Sequence, residues 1–198
     1  MTPSFAKKRT AALALVKRIH SGQMRGDGTE PAWHHLDRVS RVLEHILDEE
    51  SEGTKEEREV IHLSALGHDS LEDTTVTRKE LEKCFGMEGT KLIQGMTNTL
   101  GDHHDVRPYV KQICASAEGV RLIKLADLYD NCTSVSYGLF ALGVKWTRSF
   151  FLPIVEPMVK AVTVTKFSVF PRSSDRLKIL VRSAHRTLLE NVERYEAK

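Results

Sequence analysis

The seven residues His68-Asp69-Ser70-Leu71-Glu72-Asp73-Thr74 place one imidazole and three carboxylates directly after an apolar stretch, Val60 to Leu66. Metal-assisted hydrolysis needs such a set: an imidazole and a carboxylate to hold a cation, then an acid or base that is not a ligand to handle water and protons. Charge beside an apolar segment is costly to bury unless it is paired or metal-bound, so the run points to chemistry rather than packing. A second concentration lies at Lys124-Leu125-Ala126-Asp127-Leu128-Tyr129-Asp130-Asn131. On a helix, Lys124, Asp127 and Asn131 fall at i, i+3 and i+7, which puts a cation, a carboxylate and an amide on one stripe. A solvated helix face would carry similar charges, but the neighbours Leu122, Ile123, Leu125 and Ala126 argue for a mostly buried helix.

Helical periodicity dominates the elements that must position these groups. A first helix is predicted from about Phe5 to Ser21, and Gly22, Gly26, Gly28 and Pro31 then punctuate a loop. His35 begins the next helix, on the face carrying Val39, Val42, Leu43 and Ile46. Thr54-Lys55-Glu56-Glu57 and Thr77-Arg78-Lys79-Glu80 both have the form of capping boxes, and Gly86 is a stop. Further helices are predicted over Glu88–Asn98, Tyr109–Ala117, Val120–Val135, Val144–Val162 and Asp175–Tyr195, with Pro153 and Pro157 kinking the fourth or lying near its start. The β-branched stretch Val162–Phe170 has no partner strand and reads as a loop or frayed helix end. Gly101-Asp102-His103-His104-Asp105 reads as an exposed loop with a solvated histidine pair. The expectation is an all-α bundle in a single domain of 198 residues, its motifs within about 13–135 and closing helices over 136–198.

The formal charge of +2 gives no basis for binding a nucleic-acid polymer or a membrane surface, and no apolar run approaches bilayer-spanning length. Small anionic ligands remain compatible with it. Cys84, Cys114 and Cys132 form no CxxC pair and cannot all pair internally, which favours a reducing, cytoplasmic compartment.

The order His35, His68-Asp69, Asp127 is that of the HD superfamily of metal-dependent phosphohydrolases, H…HD…D. Three segments resemble the hydrolase domain of RelA/SpoT enzymes and the small alarmone hydrolases of the metazoan SpoT type. His20 to Arg25 with Glu30-Pro31 and His35 resembles H-x-G-Q-x-R-K…E-P-Y-x-x-H; His68 to Thr74 resembles HDxxEDT; Ile123 to Asn131 resembles IKLADxxxN. The resemblance implies an all-α HD fold that binds one divalent cation, usually Mn2+, and removes pyrophosphate from the 3′ position of guanosine tetra- or pentaphosphate (ppGpp, pppGpp). It implies His35, His68, Asp69 and Asp127 as metal ligands, Glu72 and Asp73 as the groups that position water or exchange protons, and Arg25, Lys124 and Asn131 as substrate-binding residues. Oxygen and imidazole donors suit manganese, and no cysteine stands among them.

The chain departs from the family where the nucleotide binds. The family's Arg-Lys pair is here Arg25-Gly26, Thr29 is an insertion, and Ala32 followed by Trp33 replaces the aromatic after E-P. Guanine preference therefore stays open against an adenosine alarmone or a phosphomonoester such as NADPH, and a nucleotide-binding regulator on a retired HD scaffold is the alternative from another class. Arg107, Arg121, Lys145 and Arg148 are candidates for distal phosphates or ordinary surface cations. The residues beyond Val135 suffice only for closing helices, so the expected activity is degradation without synthesis.

Overall fold

A computed structural model describes residues 4–98 and 105–197, and the His103-His104 pair lies outside the described residues. Its helices are α1 (Phe5–Ile19), α2 (Trp33–Glu50), α3 (Lys55–Leu66), α4 (Ser70–Asp73), α5 (Arg78–Met96), α6 (Arg107–Ala115), α7 (Glu118–Leu142), α8 (Val144–Trp146), α9 (Leu152–Val162) and α10 (Pro171–Glu196). The described residues contain no strand, only an isolated antiparallel bridge between Met24 and Pro31 that closes the loop before α2. The all-α expectation holds.

Helix α7 is the axis. It is buried on nearly every side through Val120, Leu122, Ile123, Leu125, Ala126, Leu128, Cys132, Val135 and Leu139. Such all-round apolarity suits a helix with neighbours on every face. Helix α10 lies along it through Leu177, Val181, Leu188 and Val192, while α2 brings Val39, Leu43, Ile46 and Leu47 to the same core. A second apolar cluster, Ala12, Val16, Leu36, Leu63, Leu66, Leu81, Phe85 and Ile93, gathers α1, α2, α3 and α5.

Both capping boxes form as expected, Thr54 with Glu57 and Thr77 with Glu80, which satisfies backbone donors at the starts of α3 and α5. Gly86 breaks α5 in the left-handed region, at φ 72°. Three boundaries differ from the sequence expectation. Helix α7 runs past Val135 to Leu142, because Leu139 still meets the core and a stop arrives only at Gly143, φ 83°. Helix α10 begins at Pro171 rather than Asp175, since proline suits a first helical turn and the Glu52 carboxylate accepts from the amides of Arg172 and Ser173, both at 2.9 Å. The expected helix Val144–Val162 divides into α8, a π turn over Thr147–Phe151 and α9, because Pro153 has no N–H for the preceding turn. The Val162–Phe170 stretch leaves the helix at Thr163, and the Glu118 carboxylate accepts from the amides of Ser168, Val169 and Phe170.

Among the described residues no helix is long and apolar enough to cross a membrane. All three cysteines are free thiols.

His62 on α3 is buried, and its Nε2 accepts from Arg9 Nε at 3.3 Å, with Glu44 at 3.7 Å. Burial, then Arg9, lowers its pKa from 6.5 to about 4; Asp37 opposes the shift and Arg41 adds to it. The unfolded chain therefore takes up this proton first as pH falls, so stability declines between about pH 6.5 and 4, by on the order of 3 kcal/mol at the low end. Urea unfolding across that window should show the decline, and His62→Gln should flatten it; an unchanged slope in the variant would contradict the assignment.

Candidate active site

Three parts of the chain bring the proposed metal ligands together. His35 comes from the first turn of α2, His68 and Asp69 from the turn between α3 and α4, and Asp127 from the middle of α7. Gly67 lets the turn pack closely: a Cβ there would lie 2.8 Å from Ile93 and 2.9 Å from Phe85, so a larger residue would have to displace these side chains of α5. Donor atoms of His35, His68 and Asp127 lie within 4.8 Å of one another, and all three residues are buried. Asp127 Oδ1 is 3.2 Å from His35 Nε2 and 3.6 Å from His68 Nε2. The Asp69 carboxylate spans the two rings, 3.1 Å from His68 Nε2 and 3.7 Å from His35 Nε2, and is 29% exposed, so it forms the open side of the cluster.

The Nε2 atoms of His35 and His68 have no hydrogen-bond partner although both are buried. Each ring is fixed from behind: His68 Nδ1 meets the carbonyl oxygen of Ala65 at 2.8 Å and His35 Nδ1 meets Asp130 Oδ2 at 2.7 Å. Both partners accept, so each Nδ1 carries hydrogen and a neutral ring turns an Nε2 lone pair toward the carboxylates. Two convergent lone pairs and two carboxylates suit a divalent cation with nitrogen and oxygen ligands. Without one, burial opposes charge but Asp69 and Asp127 hold the His68 imidazolium well above its ordinary pKa. Likewise, against burial, Lys124 and the two imidazoles hold Asp127 well below the carboxylate range, and His68 brings Asp69 down to about 2.

Lys124 and Asn131, expected to bind substrate, both touch Asp127. Lys124 Nζ donates to Oδ2 at 2.8 Å, and Asn131 Nδ2 donates to Oδ1 at 2.6 Å. Asn131 Oδ1 in turn accepts from Arg25 Nη2 at 2.7 Å. Glu72 and Asp73 sit at the rim on α4, where Glu72 accepts from the Asn98 amide. Both carboxyls reach solvent, yet their surroundings remove enough water to push both pKa values up; for Asp73 the Asp69 charge adds to this, and for Glu72 the Asn98 hydrogen bond opposes it. Every proposed site residue thus falls in one contiguous region. The distal cations do not join it: Arg107 pairs with Asp105, Arg148 with Glu196, Arg121 donates to the Lys166 carbonyl, and Lys145 is exposed.

The sequence reading missed Asp130, Arg38, Trp146 and a role for His20. Asp130 stands three residues beyond Asp127 on the same helical face, a spacing that was visible. His20 is buried and bonds Gln23, whose amide donates to the Asp73 carbonyl at 2.7 Å, so the loop after α1 braces the acidic turn. Trp33 takes a structural role, packing beside the second core under Lys17 Nζ at 4.0 Å. Trp146 and Phe151 instead line a cavity of about 200 Å³ beside Arg25, Asp27 and Asn131. No signal within the motifs marked these two, because the carboxy-terminal third matched nothing specific.

No family model matches the chain. Human guanosine-3′,5′-bis(diphosphate) 3′-pyrophosphohydrolase MESH1 is 34% identical over 131 residues, which cover 63% of this chain and 67% of the human protein. The chain belongs to the MESH1 family. The Danio rerio MESH1 is 36% identical over 120 residues, 60% of this chain and 62% of that protein. A pyrophosphohydrolase of the same name from Aquifex aeolicus is 32% identical over 135 residues, 65% of this chain; the chain spans only 18% of that longer protein. In three dimensions a metazoan orthologue of SpoT, described as hydrolysing ppGpp, matches this MESH1-family chain with a TM-score of 0.70 at 25% identity, over 94% of this chain and 97% of that one. A Listeria monocytogenes protein shares the fold at a TM-score of 0.54 and 24% identity, over 77% and 99%.

Lys124 is largely buried, 13% exposed, and is the cation nearest Asp127. Removing one partner of such a pair strands the other, so Lys124→Met should lower the unfolding free energy in chelator by about 3 kcal/mol. Denaturant titration measures this; wild-type stability in the variant would show that Asp127 is compensated by other means.

Proposed function

We propose that the chain is a metal-dependent hydrolase that removes pyrophosphate from the 3′ position of ppGpp or pppGpp, leaving GDP or GTP. The observation that carries this reading is the pair of buried, unpartnered Nε2 atoms on His35 and His68, facing Asp127 and Asp69. The names and activities of the MESH1 relatives support the substrate. The donor set supports manganese, held by His35, His68, Asp69 and Asp127. Bound there, a divalent cation supplies a Lewis acid for a phosphate oxygen and lowers the pKa of a water.

The remaining chemistry belongs to side chains. Glu72 and Asp73, with raised pKa values, accept the proton of the attacking water and return one to the departing 3′ oxygen, as the bond between that oxygen and phosphorus breaks. Arg25 and Asn131 bind the nucleotide beside the cluster, and Lys124 keeps Asp127 ionised while its charge faces the phosphates. The cavity lined by Trp146 and Phe151 takes the base by stacking, which any purine permits. Asp27 on its wall favours guanine, whose N1–H and exocyclic amine both donate to a carboxylate. We place this activity in one domain and in the cytoplasm, where free thiols persist.

A chromatographic assay of ppGpp, ppApp and NADPH, with Mn2+ and then with chelator, tests the reading. The expected result is pyrophosphate from ppGpp, abolished by chelator and by His68→Ala and Asp127→Ala. Glu72→Gln should lose about 10²- to 10⁴-fold in kcat while retaining the metal. Full activity in all three variants would sink the assignment, preferred release from ppApp or NADPH would replace the substrate, and tight nucleotide binding without turnover would favour a regulator.

A further inference from the structure

Asp130 occupies a position that the IKLADxxxN pattern leaves open, yet it is buried and heavily bonded. Its Oδ2 lies 2.7 Å from His35 Nδ1. Arg38, one turn beyond His35 on α2, grips the same carboxylate twice, Nε to Oδ1 at 2.6 Å and Nη2 to Oδ2 at 3.1 Å. Arg38 is itself held by Glu30, Nη1 to Oε2 and Nη2 to Oε1, both at 2.7 Å. Ser134 Oγ donates to Oδ2 at 3.3 Å.

We propose that Asp130 is a positioning residue for the metal centre, orienting His35 through Nδ1 while Arg38 and Glu30 lock Asp130 in place. The proposal rests on the metal-centre reading above and extends it beyond the ligands themselves. A carboxylate facing Nδ1 fixes that nitrogen as the N–H, leaves the Nε2 lone pair for the cation, and strengthens the imidazole as a donor. It also fixes the ring plane: turning His35 about its Cβ–Cγ bond would break the 2.7 Å contact. The bidentate Arg38 contact keeps the carboxylate from turning with it.

The two ligand histidines show the same requirement met in two ways. His68 takes its Nδ1 acceptor from the backbone of its own turn, the Ala65 carbonyl. His35 opens a helix and has no such carbonyl among its partners, so its acceptor is a side chain on the helix that also carries Asp127. One helix face, through Asp127 and Asp130, thereby addresses both nitrogens of one ring. An ion pair that merely tied α2 to α7 would not need to end on that ring. Buried ion pairs are in any case weak evidence for stability.

The test measures Mn2+ affinity of the whole chain, by electron paramagnetic resonance of free Mn2+ and by calorimetry, independently of substrate. Asp130→Ala should bind Mn2+ about 10- to 100-fold more weakly. The isosteric Asp130→Asn, which keeps the packing volume but loses the charge that Arg38 holds, should weaken it in the same direction. Turnover in both should recover as Mn2+ is raised, with the loss appearing in the metal requirement rather than in kcat at saturation. A purely structural role would lower the melting temperature of the variants and leave Mn2+ affinity where it is in the wild type, and that result overturns the proposal. Wild-type protein that takes up no Mn2+ overturns the metal-centre reading and this inference together. Wild-type uptake with unchanged affinity in the folded variants overturns the role of Asp130 alone.

Discussion

The structure depends on how a buried carboxylate, Asp127, is made tolerable in the middle of the central helix α7. An isolated charge there would cost several kcal/mol. It is met instead by Lys124 one turn before it, by Asn131 one turn after it, and by two imidazoles that reach it from α2 and from the turn after α3. Each partner comes from a different constraint on the chain. Lys124 and Asn131 share the stripe of α7; His35 follows the loop closed by the Met24–Pro31 bridge; His68 follows Gly67, whose turn packs closely on Phe85 and Ile93. The apolar core and the polar cluster are therefore parts of one packing problem. Leu36 and Val39 seat α2 so that His35 points inward, and Leu63 and Leu66 do the same for α3 and His68.

The partition of the acidic run follows from depth. Asp69 reaches the two imidazoles, while Glu72 and Asp73 stay at the rim on the four-residue helix α4. In the cation-free site His68 and Lys124 keep the inner carboxylates ionised, and a bound cation would take the place of the His68 proton. The outer pair shifts the other way: partial removal from water raises both pKa values, although Lys124 opposes this at Glu72 and the neighbouring imidazoles oppose it at Asp73. Depth thus separates the residues proposed as ligands from those proposed for proton exchange within one motif.

Much of this was legible in the sequence because the signals were local. Capping boxes at Thr54 and Thr77, the break at Gly86 and the i, i+3, i+7 stripe of α7 each depend on neighbours a few residues apart, and each appears as expected. The motif residues converge for the same reason: they lie on or beside helices whose apolar faces were readable. What escaped depends on distant pairing. Arg38 carries no local signal, because its partner Asp130 comes from α7, and Trp146 shares a cavity wall with Arg25 only because α7 runs its full length and the chain then turns back through a π segment. Helix ends moved where a tertiary contact outweighed the local stop, as Leu139 does for α7 and Glu52 for α10.

In the function proposed above, His35, His68, Asp69 and Asp127 form a single site for one divalent cation. Crystals grown with Mn2+ and measured at the manganese absorption edge test it directly. One strong anomalous peak is expected, bounded by the Nε2 atoms of His35 and His68 and by the carboxylates of Asp69 and Asp127. A map with no peak there, or with its strongest peak at other residues, would contradict it.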